Sequence, residues 1–192
     1  MAYREHIRAD TVASKSKEKE VSIKEQINGN PKGTLYGTAH PEAWRKMTPL
    51  DRACILFDER LNSAFALNRN PVPTYWHQID VQNRPAQLAV VEIALEIKTM
   101  DAQKGEKVLE KAMSQLFASL GRTVEGHISN RGYVEIERAY SLAEEVAARA
   151  GSKYVKIVKA AREEFAIVRR EMEQKRIKEE RRKNRLLLRA KA

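Results

Sequence analysis

Cys54 is the chain's one cysteine, so no internal disulfide can form and a reducing, cytoplasmic compartment is expected. It lies in the apolar run 53–57 and reads as a small buried apolar side chain, since no base can be placed beside it to make it a nucleophile. Long hydrophobic runs are also missing. The longest apolar stretch, 88–97, is interrupted by Glu92 and Glu96 and falls far short of the roughly 20 residues of a membrane span. The segment 1–10 holds no hydrophobic core, so no signal peptide is expected, and the chain reads as soluble with no membrane partner. Six prolines and eight glycines are few for 192 residues, and they are expected in loops.

The motifs of catalysis and of metal or cofactor binding are equally scarce. His6, His40, His77 and His127 are isolated from one another, with no Cys or Glu at zinc-site spacing. The His40-Pro41-Glu42 triplet matches half of a zinc-deaminase signature, but the P-C-x-x-C half is absent. Glu92 and Glu96 stand four apart on a helix, like the inward carboxylates of metal-binding bundles. Those bundles also need Glu-x-x-His on partner helices, so the pair reads as a polar stripe facing solvent or pairing with Lys98 or arginines. The turn 29–33 lacks the spacing of a phosphate loop, and neither G-x-S-x-G nor G-x-G-x-x-G occurs. No catalytic residue, metal ligand, cofactor or small-molecule substrate is therefore expected, and the chain reads as a non-enzyme.

What is present is helical periodicity. Residues 1–40 are polar and weakly patterned, with a charged stretch at 14–20, a short helix at about 21–27 and a turn at 28–33; they read as a flexible arm. The body spans 41–150. Pro41 opens a short helical turn to Met47. Thr48-Pro49 is an N-cap followed by proline at the first helical position, and Leu50, Cys54, Phe57, Leu61, Ala64 and Phe65 then recur at three- and four-residue steps, giving a helix to about Leu67. A strand or extended loop is expected at 74–81. Pro85 opens a helix whose apolar residues cover most of its circumference, with Val90, Ile93, Ile97 and Met100 on one side and Leu88, Val91 and Leu95 on another; it should lie centrally. Gly105 should interrupt or kink the path. A further helix, about 106–120, points Leu109, Ala112, Met113, Leu116 and Leu120 inward and stops at Gly121, before a loop to Gly132. Next comes a helix at about 133–150 with Ile136, Ala139, Leu142, Val146 and Ala150 on one face, then Gly151 as a helix stop and Ser152 as the next N-cap. The expected class is all-α: a helical body of four to five helices, a polar arm and a long C-terminal helix over about 153–189, roughly 55 Å.

That last helix, within the segment 151–192, has two halves. Tyr154, Val158, Ala161, Phe165, Val168 and Met172 form a coiled-coil-like seam that should bury against the body or a copy of itself, making an oligomer plausible. Beyond it the apolar face ends, and helix propensity, the pairs Glu171–Lys175 and Glu179–Lys183 and the macrodipole remain, so fraying is expected past about Asn184.

The charge of the chain is concentrated in the second half. Of the formal +10, the segment 151–192 supplies +9, and 175–192 alone holds nine Lys/Arg and two Glu. Lys175, Arg176, Lys178, Arg181, Arg182, Lys183, Arg185 and Arg189 are the candidate nucleic-acid contacts. If five phosphates were neutralised, log K would fall against log salt with a slope of about −4.5 on duplex DNA. No base-reading pattern stands out, so contact with DNA or RNA should be mainly sequence-independent. Leu186, Leu187 and Leu188 are candidate partner contacts. They carry the alternative, a structural or assembly protein (scaffold or adaptor) of a larger particle whose basic end grips an acidic protein surface. Simple solvation of a charged helix end is the third reading. Tyr75, Trp76 and His77, flanked by Arg69 and Arg84, read either as loop anchors in the core or as a base-stacking platform, and Trp44 has the same two readings.

Overall fold

Helix start signals written in the sequence set most of the architecture. The computed structural model describes residues 21–65, 84–128 and 132–190, with side chains through Arg185. Its described residues form eight helices and no strand, an all-α protein. The expected strand at 74–81 and the aromatics Tyr75, Trp76 and His77 lie outside the described residues. The chain divides into two compact units, 1–55 and 56–192, at a boundary inside the fourth helix.

The first unit holds α1 (Ile23–Ile27), α2 (Leu35–Ala39), α3 (Pro41–Lys46) and the start of α4 (Pro49–Ala64). Residues 1–20 of the segment read as an arm lie outside the described residues. From Ile23 onward that segment holds two short helices joined by a turn, and it contributes Ile27 to a core. Ser22 and Glu25 close a capping box on α1, and Thr34 caps α2 by accepting from Gly37 N at 2.9 Å. Gly29 and Gly33 take φ values of 110° and 81° in the turn that separates α1 from α2, a conformation that glycine adopts without steric penalty. Trp44 is fully buried, so its role is core and not stacking. Thr48 caps α4 as its sequence predicts, its hydroxyl oxygen accepting from Asp51 N at 3.1 Å.

A buried cation ties these short helices together. Arg52 is 6 % exposed and faces carbonyls instead of a carboxylate. Its Nε donates to Ile27 O at 2.5 Å, and its Nη1 donates to Met47 O at 2.6 Å and Trp44 O at 3.1 Å. Those oxygens stand at the C-terminal ends of α1 and α3, where carbonyls run short of intrahelical donors (Trp44 O also accepts from Met47 N at 3.3 Å), so one guanidinium serves two helix ends. Cys54 is half-buried, more open than a core position: the expected Phe57, Leu61, Ala64 and Phe65 are buried, but near the start of α4 the buried face turns towards Ala53 and Leu56, leaving Leu50 and Cys54 at its edge.

The second unit holds the rest of α4 with α5 (Arg84–Met100), α6 (Ala102–Ile128), α7 (Tyr133–Ala150) and α8 (Ser152–Ala190). α5 packs on both α6 and α7, the central place its all-round apolar surface predicts, although Met100 at its end is exposed. α5 and α6 are joined only through Asp101. Lys98 Nζ meets Glu106 Oε2 at 2.5 Å across that joint, and the two helices fold back on each other. Gly105 does not interrupt the path; it lies inside α6, buried against Lys98. Nor does Gly121 end α6, which continues through Gly121 and Gly126 to Ile128. Ser119, Leu120 and Thr123 extend its buried face past the glycine, and Gly121 itself looks into open space.

α7 begins and ends where its pattern predicts, at Tyr133 and Ala150. Gly151, with φ 135°, then reverses the chain. Its carbonyl accepts from Tyr154 N at 3.1 Å, so Gly151 and not Ser152 sits in the cap position of α8. α7 and α8 run antiparallel as a helical hairpin. Tyr140 Oη donates to Ala161 O at 3.1 Å, and Arg162 bridges Glu137 and Glu144, about two helical turns apart on α7.

Candidate nucleic-acid interface

α8 outruns the helix that covers it. Tyr154, Val158 and Phe165 are buried in the hairpin, Phe165 lying 5.8 Å from the Tyr140 ring. Tyr133 opens α7, and its ring lies 6.4 Å from Phe165 and 4.4 Å from the Arg169 guanidinium, so α7 has no residues left to meet α8 beyond this level. The seam expected to be buried through Met172 therefore stops at Phe165. Val168 and Met172 are 40 % and 43 % exposed. From Arg170 to Arg185 every side chain is exposed, yet the helix continues to Ala190, past the point where fraying was expected. Lys, Arg, Glu, Gln and Leu supply most of this stretch and all favour helix intrinsically.

The candidate contacts fall into two sets on this exposed rod. At 3.6 residues per turn, Lys175, Lys178, Arg181, Arg182 and Arg185 lie within an arc of about 120° along roughly 15 Å. Arg182 and Arg185 follow Lys178 at four and seven residues, and these three with Arg181 line one shallow concavity of the helix surface. Arg189 takes the next register position; its side chain, and those of Leu186, Leu187 and Leu188, lie outside the described residues. Arg176 and Lys183 occupy the remaining arc together with Glu173, Glu179 and Glu180. Arg176 Nη2 reaches Glu173 Oε1 at 3.6 Å. The expected pairs Glu171–Lys175 and Glu179–Lys183 are not among the ion pairs of the described residues. The signal for this segregation was in the sequence: three- and four-residue steps apply to charge as they do to apolar residues.

Elsewhere in the second unit, five cations are held by the protein's own acids: Arg84, Lys98, Lys111, Lys153 and Arg162. Arg84 donates through Nε to Glu145 at 2.8 Å and pairs with the same carboxylate through Nη2, which holds the guanidinium pKa up and the carboxyl pKa below its usual range. Glu106 accepts from Lys153 at 2.6 Å and from Lys98, and the two ammonium groups draw its pKa down to about 2. Lys111 meets Asp58 at 2.9 Å, and Arg162 gives Glu137 two hydrogen bonds, of 3.0 and 2.7 Å.

The described residues contain no group of three His, Cys, Asp or Glu able to hold a metal ion. Glu92 is exposed, Glu42 pairs with Arg45 at 2.8 Å, and His127 Nδ1 lies 2.9 Å from Thr123 O. An open groove of about 660 Å³ is lined by Arg84, Tyr133, Ser141, Glu145 and Arg169 among others. Arg84 is engaged by Glu145 there, so it is not the free rim cation of a stacking platform, and Arg169 covers Tyr133. No helix of the described residues is long and apolar enough to cross a membrane. No family model, curated protein or solved structure matches the chain.

Proposed function

We propose that this protein is a non-enzymatic nucleic-acid-binding protein whose basic half of α8 contacts phosphates, mainly without regard to sequence. One observation carries the reading. The second unit pairs Arg84, Lys98, Lys111, Lys153 and Arg162 with its own carboxylates, while the exposed cations of 175–185 have Glu173 as their one ion-pair partner among the described residues, held by Arg176. Exposed cations without intramolecular partners lose little desolvation energy in meeting phosphate and gain by releasing its condensed counterions.

A second reading has its own support. Val168 and Met172 continue the buried seam into solvent, as a scaffold or adaptor that docks a partner helix would require. One experiment separates the two. A chain lacking 175–192 is compared with the full chain for DNA and RNA affinity across a salt series, and for mass in solution. Lost affinity at unchanged mass supports phosphate binding. A changed mass with no nucleic-acid affinity in either chain supports assembly.

A further inference from the structure

The segregation of charge around α8 specifies how a phosphate backbone meets it. We infer that α8 lies with one face, that of Lys175, Lys178, Arg181, Arg182 and Arg185, along the outside of a duplex backbone, neither inserted in a groove nor wrapped by a single strand. This rests on the phosphate-binding reading above.

Groove insertion is opposed by the acids. A helix of 10–12 Å diameter fills a major groove about 12 Å wide and has phosphates on both flanks. Cations would then be needed on two opposite sides, with base-reading side chains between them. In α8 the side opposite the cationic face carries Glu173 and Glu180, with Glu179 on the flank about 40° from Lys175, and insertion would press these acids against the second strand. Seating the helix on one backbone turns Glu173 and Glu180 away from phosphate and leaves Glu179 at the edge of the contact, with Glu171 one turn before the row begins.

A single strand is opposed by what α8 lacks. Proteins that hold single strands without sequence preference combine a basic track with aromatic rings on which bases stack. No Phe, Tyr or Trp occurs from 170 to 192. Of the rings at the base of the rod, Phe165 is buried and Tyr133 is covered by Arg169. A straight, one-sided row of cations matches the fixed phosphate array of a duplex, and it gives no contact to unstacked bases.

The test uses two charge-matched variants of the full chain, K178Q/R185Q on the cationic face and R176Q/K183Q on the opposite one. Each loses one Lys and one Arg, and Gln preserves helix propensity; equal circular dichroism verifies that the helix is intact. Binding to a 20-base-pair duplex and to a 20-nucleotide single strand is followed by fluorescence anisotropy over a salt series. The expected result is that K178Q/R185Q makes the duplex salt slope shallower by about 1.8, at about 0.9 per lost phosphate contact, while R176Q/K183Q leaves it nearly unchanged. The duplex should bind more tightly than the single strand. Equal losses in the two variants overturn the one-face geometry, and equal or tighter single-strand binding overturns the duplex assignment; both leave phosphate binding standing. If the unaltered chain binds neither probe, the phosphate reading fails and this inference fails with it.

Discussion

Gly105 on α6 lies so close to the backbone of Lys98 on α5 that a Cβ at this position would overlap Lys98 Cα. The residue that would break a helix in isolation is the one that lets two helices meet across the single-residue joint at Asp101. The substitution Gly105→Ala should therefore destabilise the fold by about 1–3 kcal/mol, as overpacking does. Gly121, also inside α6, has nothing within 4 Å of its would-be Cβ. There Gly121→Ala should stabilise by about 0.5–1 kcal/mol. Denaturant unfolding of the two variants checks the pair: opposite signs are expected, and the same sign in both would contradict the packing described.

This contrast shows where the sequence was legible. Thr48-Pro49 and Gly151 act through local chemistry, and α4 and α7 start or stop where those residues stand. Gly105 and Gly121 read locally as breaks, but tertiary packing decides both. The α6 pattern also weakens past Leu120 because its next inward residue is the polar Thr123, whose hydroxyl is satisfied by Ser119 O at 2.9 Å. The extent of the α8 seam depends on where α7 begins, which periodicity along α8 alone cannot reveal. The role of Arg52 was hidden for a similar reason: its acceptors are backbone carbonyls as far as 25 residues away in sequence.

Removing that guanidinium takes the side-chain donor from the helix-end carbonyls of Ile27 and Met47 and leaves Trp44 O with Met47 N alone. Arg52→Met should lower stability by about 1–3 kcal/mol. Hydrogen exchange at residues 23–47 is the sensitive readout: faster exchange there is expected, and unchanged protection would mean that Arg52 does not hold α1 and α3 in place.

Acid should loosen the joint of α5, α6 and α8. The Glu106 carboxyl has a folded pKa of about 2, lowered from 4.5 by hydrogen bonds from Lys153 and Lys98. Its contribution is complete above the unfolded value near 4.5 and is lost as pH falls from there towards 2. Glu106→Gln removes this contribution, so its stability should fall less steeply than the unaltered chain's between pH 4.5 and 2. Parallel acid-unfolding curves for the two proteins would contradict the ion-pair geometry.

Because Val168 and Met172 lie beyond the end of α7, replacing both with serine should change stability by no more than about 0.5 kcal/mol. Phe165→Ala, inside the hairpin, should cost about 3–5 kcal/mol. Thermal melts distinguish the two cases, and a large loss in the serine variant would place those residues in a packed interior. A change in solution mass in the same variant would favour the assembly reading.

The central claim is that the cations of α8 meet phosphates outside the molecule, and the salt dependence of duplex binding by the full chain tests it most directly. With five residues, Lys175, Lys178, Arg181, Arg182 and Arg185, in contact, log K against log salt should fall with a slope of about −4.5. A slope near zero, or no binding at low salt, would contradict the account.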